Sequence, residues 1–370
     1  MVRARTLIGV LLGLVVGCAK PPAGAGGFRV ALITPGSIAD AAWNSGAYAG
    51  LLQIRDSTGA TISHVEARTP GEQIEALRTY ATQGYNLVFG HGFEFQGPAE
   101  RIGAEFPTTV FVVTSGERVS AAGNVVPMVF GIEEGTYLAG MAAGGMTRSN
   151  KLGFVGGMEL PPIVRGYQGW LNGAKAVNPR VESRIAYLNT FDDVAAGREA
   201  ALAMIRLGVD MLHHNADQAA LGLFQAVKDS KGVYAFGANA DQSALAPERV
   251  LGSVVIDLPK AFLAIAREVK EGRFIPRVET FGLGGGVLRY DPNPALDSLV
   301  PAALRARMQA ARDSILAGTL KPLAVHRARQ WRPSPCAPLR NTSTSTCGYP
   351  RFPTRPTPST ACKWRMPRAR

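Results

Sequence analysis

Three side chains of types that hold small molecules lie close together near the start of the chain, in the stretch SIADAAWNSG at positions 37–46. Asp40 and Asn44 offer hydrogen-bonding groups, and Trp43 between them offers a flat apolar ring. The stretch follows the apolar run RVALIT and precedes a helical pattern. In open α/β sheets such a loop lies at the carboxyl edge, where ligands bind. A ligand-binding role is therefore one interpretation. The alternatives are that Trp43 belongs to the core and that Asp40 caps the helix.

Further candidate ligand-binding side chains follow later apolar runs. Phe93 and Phe95 come after the run NLVFG, where either ring offers a second apolar wall. Phe191 and Asn215 occupy matching strand-end loops farther along the chain, although Asn215 is equally compatible with a simple turn. Glu134 lies in the first turn of a predicted helix. An acid there either stabilises the helix dipole or faces a cleft and contacts the ligand.

Motifs for dinucleotide binding, metal binding and catalysis are either incomplete or missing in this sequence. The segment GHGFEFQG lacks the G-x-G-x-x-G spacing of a dinucleotide loop. His213 and His214 with Asp217 suggest a metal, but neighbouring residues on a strand point to opposite faces, so a structural pair is the preferred interpretation. The chain also lacks the motifs G-x-S-x-G, G-x-x-x-x-G-K-[ST] and H-E-x-x-H. We therefore predict a protein that is not an enzyme and uses no metal or cofactor.

The elements that position these side chains are predicted from the apolar runs between Phe28 and Lys321, which alternate with helical patterns. The runs are nearly unbroken by polar residues, as strands buried on both faces of a parallel sheet require. We predict an α/β fold of two doubly wound lobes with a cleft between them. The predicted lobes comprise residues 28–130 with about 257–283, and residues 131–256 with about 284–321.

The N-terminal segment has the features of a secretory signal. Arg3 and Arg5 precede an apolar run that is too short to span a bilayer, and the run ends at Cys18. This ending resembles the lipobox of bacterial lipoproteins, so we predict a signal peptide over 1–17, a lipid on Cys18 and a flexible tether over 18–27. The alternative is an ordinary signal peptide with an incidental cysteine.

The C-terminal residues 325–370 differ in composition from the rest of the chain. They contain nine Arg, one Lys, eight Pro and three Cys but no Asp or Glu. The formal net charge of +12 therefore comes from this tail with Arg3 and Arg5, and the domain between them is balanced. We predict that the tail is disordered, either as a frameshift product, which we favour, or as a basic arm for nucleic acid or anionic lipid. Nucleic acid is not expected as a partner of the domain.

Several long blocks resemble the basic membrane lipoprotein family, the substrate-binding lipoproteins of ABC transporters that include purine nucleoside receptors. The blocks include SIADAAWNSG, FGIEEGTYLAGMAAGGMTRSNKLGFVGGMELPPIVRGYQGW and FGANADQSALAPERVLGSVV. The resemblance spans about residues 28–321. It implies the type I periplasmic-binding fold, two Rossmann-like lobes that close on a ligand. In nucleoside-binding members the base lies between aromatic rings, and acidic and amide side chains hold its edge and the ribose.

Site residues follow from the resemblance position by position. The family pattern D-x-x-F-N falls on positions 40–44, so Trp43 takes the aromatic place. The pattern G-G-M-D ends at Glu159, one methylene longer than the family's acid. In G-V-D-S-D-Q the first acid is replaced by Asn239, while Asp241 remains. The family's lysine is replaced by Ile256. These departures affect groups that would contact the ligand.

The resemblance implies a function in transport. The expected protein is a monomer, lipid-anchored in the bacterial cell envelope and facing the periplasm or the exterior, that passes a small ligand, nucleoside-like, to ABC permease subunits. The rival hypothesis is a ligand-sensing lipoprotein that docks on a membrane signalling partner.

Overall fold

The computed structural model describes residues 27–40 and 42–324 of the 370-residue chain. In this part of the chain strands and helices alternate. The strands are β1 (Arg29–Thr34), β2 (Thr61–Glu66), β3 (Leu87–His91), β4 (Val110–Thr114), β5 (Val125–Phe130), β6 (Lys151–Gly156), β7 (Glu182–Tyr187), β8 (Met211–Asn215), β9 (Tyr234–Asn239), β10 (Val250–Ile256), β11 (Glu279–Phe281) and β12 (Leu288–Pro292). The α-helices are α1 (Trp43–Thr58), α2 (Pro70–Thr82), α3 (Gln96–Glu105), α4 (Ile132–Met146), α5 (Pro161–Val177), α6 (Val194–Arg206), α7 (Ala220–Lys228), α8 (Leu258–Lys270) and α9 (Ala302–Leu316). The predicted signal peptide, most of the tether and the tail lie outside the described residues.

The strands form two six-stranded sheets. The first has the order β11-β5-β4-β3-β1-β2 and is parallel throughout. The second has the order β12-β10-β9-β8-β6-β7, in which β12 alone among the described strands runs antiparallel to its neighbour. The central strands are buried along their length, which explains their nearly unbroken apolar sequence. The predicted α/β fold of two mainly parallel sheets is confirmed.

The chain passes between the two sheets at three places. It leaves β5 for α4, returns from β10 to α8, and passes from β11 to β12. Backbone hydrogen bonds tie the crossings together: Gly131 N–H donates to the Phe281 carbonyl over 2.9 Å, and Asp257 N–H donates to the Val287 carbonyl over 2.7 Å. The three chain crossings are therefore held together by backbone hydrogen bonds.

Helices α4 and α5 pack unusually closely because glycines lie where their backbones meet. A Cβ atom at Gly140 would lie 2.0 Å from the carbonyl oxygen of Trp170, and one at Gly173 would lie 1.9 Å from that of Tyr137. No side chain fits in such a space, so the two helix backbones are in contact. This close contact agrees with the small-residue faces in the sequence around positions 135–145.

Candidate ligand-binding pocket between the lobes

A pocket with a cavity volume of about 60 Å³ lies between the lobes. Several of its residues are the last residue of a strand or follow one directly, in both sheets, as expected for ligand sites of α/β folds. The lining residues are Pro35, Trp43, Gly92, Phe93, Glu94, Ser115, Phe130, Ile132, Leu160, Pro162, Ile163, Phe191, Asn215, Asp217, Asn239 and Ile256.

Trp43 forms one wall and is held from behind. Its indole stacks on the imidazole of His91, with ring centroids 4.1 Å apart and planes inclined by 25°, and the ring of Phe130 meets it edge-on at 6.2 Å. His91 Nε2 lies 3.1 Å from the Trp43 carbonyl oxygen, and His91 Nδ1 lies 3.0 Å from the Thr114 hydroxyl. Burial lowers the pKa of His91 to about 3, so the ring is neutral at pH 7. His91 is thus a fixed, uncharged support for the indole.

Phe191 of the second lobe provides another apolar wall. Its ring packs on the backbone of Gly157, where a Cβ atom would lie 2.2 Å from Phe191 Cδ1. The N-terminal end of α5 adds Leu160, Pro162 and Ile163 to the same side. Because Gly157 has no side chain, the Phe191 ring can lie flat against the loop. The pocket therefore has aromatic rings from both lobes.

The polar part of the second lobe consists of Asn215, Asp217 and Asn239. Asn215 and Asn239 end β8 and β9, and Asp217 follows β8 by two residues. Asn239 Nδ2 donates to Asp217 Oδ1 over a long 3.4 Å. Burial raises the pKa of Asp217 well above its ordinary value, and the negative charges of Asp40, Glu94 and Asp192 raise it further. Asp217 and Asn239 both have positive φ, 43° and 66°, an uncommon conformation that is often found at binding sites.

The first lobe contributes one acid, Glu94, to the lining. Glu94 is partly buried beside Gly92, whose φ of 147° brings the backbone against the Glu94 carboxylate. Burial also raises the pKa of Glu94. Ser115, which directly follows β4, also lines the pocket. The lining thus combines apolar rings with one acid from each lobe.

The structure brings five predicted site residues together in the pocket lining: Trp43, Phe93, Phe191, Asn215 and Asn239. Asp40 and Asn44 are buried and do not line it. The Asp40 carboxylate accepts hydrogen bonds from the backbone N–H groups of Asn44 at 2.7 Å and Ser45 at 2.8 Å. Asp40 thus satisfies donors in the first turn of α1, which is the helix-capping alternative considered above.

The remaining four predicted residues do not line the pocket. Phe95 is fully buried against Gly90 in the first lobe. Glu134 lies at the crossings, where its carboxylate accepts a hydrogen bond of 2.8 Å from the Leu283 N–H. Glu159 is exposed. Asp241 is exposed as well and accepts hydrogen bonds from Ser243 and Ser253. Glu134 therefore supports the crossings and Asp241 its own loop.

Glu94 and Asp217 are pocket residues that the sequence analysis did not assign to a site. The sequence suggests Asp217 only as a metal ligand with the histidines, although its place just after β8 matches the strand-end rule that points to Asn215. Glu94 lies between Phe93 and Phe95, which are predicted site residues because of their rings. Position after a strand was the signal in both cases.

His213 and His214 are structural in their contacts. His213 Nδ1 lies 3.1 Å from the Phe236 carbonyl oxygen, and His214 Nε2 lies 2.8 Å from Gln242 Oε1. Burial lowers the pKa of His213 to about 3 and that of His214 to about 4. Within residues 27–40 and 42–324, no group of three or more His, Cys, Asp or Glu side chains is arranged to hold a metal ion. The same residues include no helix with the length and hydropathy to cross a membrane.

An ion pair joins the lobes at the rim of the gap. Arg68 follows β2 in the first lobe and Asp192 follows β7 in the second, and their side chains meet at 2.8 Å. Arg68 also pairs with Glu66 at 2.5 Å. About half of each side chain of the interlobe pair is exposed, so the contact is worth roughly 0–1 kcal/mol.

Comparisons with known proteins agree with this architecture. The profile of a family described as "ABC transporter substrate-binding protein PnrA-like" matches residues 28–317. The transcriptional activator protein Med of Bacillus subtilis is 29% identical over 294 residues, which cover 79% of this chain and 88% of Med. The ABC transporter nucleoside-binding protein BmpA of Lactococcus lactis is 27% identical over 303 residues, covering 75% of this chain and 86% of BmpA. A solved ABC transporter solute-binding protein from Aeropyrum pernix matches with a TM-score of 0.73 at 21% identity, covering 80% of this chain and 92% of that one, which shows the shared fold.

Proposed function

Because this chain belongs to the family of PnrA-like ABC transporter substrate-binding proteins, we propose that its pocket captures a nucleoside or a related heterocycle and delivers it to an ABC permease. The observation that carries the proposal is the stack of Trp43 on His91 at the edge of a pocket whose other side holds Asn215, Asp217 and Asn239. A flat apolar ring fits a planar base, and polar groups opposite fit its edge and hydroxyls.

The proposed role is binding, not catalysis. The polar side chains in the pocket are carboxylates, carboxamides and one serine, and Ser115 has no histidine among the lining residues to act as its base. The similarity to BmpA, a nucleoside-binding protein by name, supports the ligand class. We further propose that a lipid on Cys18 holds the protein at the outer face of a membrane, in reach of the permease.

A second candidate is a ligand-sensing role, in which the bound form docks on a signalling partner. It is favoured by the similarity to Med, which is named as a transcriptional activator. Permease and ATPase genes beside this gene would support transport, and a genetic test separates the roles. Deletion of the gene should abolish uptake of labelled ligand if the protein serves an importer, and should leave uptake intact if it is a sensor.

A thermal-shift panel of nucleosides, bases, sugars and amino acids tests the ligand class. At about 100 times its Kd a ligand stabilises the native state by about 2.7 kcal/mol. At least one nucleoside or base should raise the melting temperature clearly. A panel in which sugars or amino acids stabilise the protein, and nucleosides and bases do not, would refute the proposed ligand class.

A further inference from the structure

The charge of the pocket is one-sided. Among the described residues that line it, Glu94 and Asp217 are acids, and none is Lys, Arg or His. The two acids come from different lobes, one after β3 and the other after β8. A ligand between the lobes is therefore placed between two carboxylates and meets no cationic side chain in the lining.

Asp217 has hydrogen-bonding capacity left for a ligand. Only 8% of the residue is exposed, and the hydrogen bond that it accepts from Asn239 is long, at 3.4 Å. A carboxylate has about four acceptor sites, and leaving them unpaired in a buried place is costly. Since Asp217 lines the pocket, a donor or a cation on the ligand is the partner that this arrangement lacks.

The wider surroundings add negative charge. The charges of Asp40, Glu94 and Asp192 all raise the pKa of Asp217, after the larger effect of burial. Arg68, a cation at the rim, is already paired with Asp192 and Glu66. Lys260 lies at the crossings, where its ammonium donates to the Gly285 carbonyl over 3.0 Å.

The walls of the pocket suit a positive charge as well as a neutral ring. Rings of Trp43, Phe93, Phe130 and Phe191 line it from both lobes. Aromatic faces attract cations through the ring quadrupole, and aromatic cages recognise cationic methylated groups. Aromatic walls with two carboxylates therefore form an environment for a planar cation.

We propose that the pocket prefers a planar heterocycle that carries a positive charge over its neutral isomer, with the charged edge held between Glu94 and Asp217, and that it rejects anionic derivatives such as nucleotides. The inference rests on the proposed function and specifies the chemistry of its ligand. A cation between the two carboxylates also offsets their mutual repulsion and so favours the arrangement in which the lobes are close.

Proton release provides an independent signature. With its pKa raised, Asp217 holds a proton over part of the pH range above its ordinary value, and a neighbouring cation lowers that pKa again. A bound cation should therefore displace protons from Asp217 and Glu94 into solution. A neutral ligand lacks this effect.

Isomer pairs separate charge from size. Isothermal titration at pH 6.5 compares 1-methyladenosine with N6-methyladenosine, and 7-methylguanosine with N2-methylguanosine; the first of each pair is cationic and the second neutral. At least one cationic isomer should bind tenfold or more tightly and release protons, seen as a dependence of the binding heat on the buffer. AMP should bind at least a hundredfold more weakly than adenosine. Ratios below tenfold in both pairs, or AMP binding as tightly as adenosine, would overturn the inference.

Variants assign the preference to the two carboxylates. Glu94→Gln and Asp217→Asn should each reduce the cation-to-neutral ratio at least threefold, while Glu75→Gln, an exposed acid on α2, should leave it unchanged. A cation-to-neutral affinity ratio that stays at the wild-type value in both pocket variants overturns the assignment. If Asp217→Asn does not fold, the wild-type ratios still test the preference and Glu94→Gln still tests the assignment. If adenosine and guanosine bind without any charge preference, the inference fails but the proposed function stands. If no nucleoside or base binds at all, both fail.

Discussion

The indole of Trp43 lies on the imidazole of His91, with ring centroids 4.1 Å apart, and the same imidazole contacts the Trp43 carbonyl oxygen and the Thr114 hydroxyl. A wall of the pocket is thus backed by a buried, neutral histidine at the end of β3. Because its support is rigid, the indole can hold a flat ligand without first paying the entropy of ordering its own ring.

Removal of that support should weaken both the fold and the site. We expect His91→Ala to lower the free energy of unfolding by about 2–4 kcal/mol, since it leaves a cavity and two polar groups without a partner. Ligand affinity should fall at least threefold, because the indole loses its backing. His91→Phe, which keeps a flat ring, should recover more affinity than stability. Affinity is measured by titration calorimetry and stability by urea unfolding.

His64, a half-buried histidine, provides a matched control. Its ring meets that of Tyr48 edge-on, with ring centroids 5.4 Å apart, and it does not line the pocket. His64→Ala should leave affinity unchanged. Equal losses of affinity in the two alanine variants would mean that the effect of His91 is a general loss of stability.

The buried histidines predict sensitivity to acid. The folded-state pKa is lowered to about 3 for His91 and His213 and to about 4 for His214, mainly by burial. The unfolded chain takes up these protons near pH 6.5 and the folded chain does not, so stability is complete above pH 6.5 and declines as the pH falls toward 4. Each histidine should cost roughly 2 kcal/mol between pH 7 and pH 5.

Asp217 acts in the opposite direction. Because its pKa is raised in the folded state, the folded chain binds a proton there at a higher pH than the unfolded chain does, which offsets part of the loss of stability caused by the histidines. Urea unfolding at pH 7 and pH 5 measures the difference. In His214→Gln the difference should be smaller by about 2 kcal/mol, whatever that variant's stability at pH 7. A free energy of unfolding that stays constant from pH 7 to pH 5 would contradict neutral, buried histidines.

Gly157 should be needed for the position of the Phe191 ring. A methyl group there would lie 2.2 Å from Phe191 Cδ1, so Gly157→Ala must move the ring. We expect a roughly tenfold loss of affinity with a melting temperature within a few degrees of wild type, because the ring lies at the pocket and moves without emptying the core. Gly97→Ala is the control, as its Cβ atom meets nothing within 4 Å. Wild-type affinity in Gly157→Ala would remove Phe191 from the binding wall.

The predicted lipid on Cys18, outside the described residues, is tested without any ligand. Cys18→Ala should lose metabolic palmitate label and leave the membrane fraction, because acyl chains hold such proteins at the bilayer. Serine at the same position serves as a second variant that preserves size. Membrane association of the unlabelled variants would refute the anchor.

The sequence allowed the two-lobed fold to be predicted because buried parallel strands leave nearly unbroken apolar runs such as those of β3 and β10. Strand ends then led to Asn215 and, by the family pattern, to Asn239. The family pattern predicts Glu159 and Asp241 as ligand contacts, but neither lines the pocket in this structure, because a motif does not specify which way a loop side chain points. Asp40 has two acceptor oxygens within reach of the first N–H groups of α1, and that local contact is invisible in a ligand motif. The Glu94 carboxylate lies against Gly92, where any side chain would clash with it, and sequence spacing does not reveal this contact.

The central claim is that a nucleoside-like ligand stacks on Trp43 between the lobes, and one titration tests it most directly. The best ligand of the thermal-shift panel is titrated by calorimetry into wild type and into Trp43→Ala, with circular dichroism to verify the fold of the variant. A base–aromatic stack is worth roughly 1–3 kcal/mol, so the variant should bind about ten- to a hundredfold more weakly. Equal affinity of a correctly folded Trp43→Ala variant would contradict the claim and return Trp43 to a purely structural role.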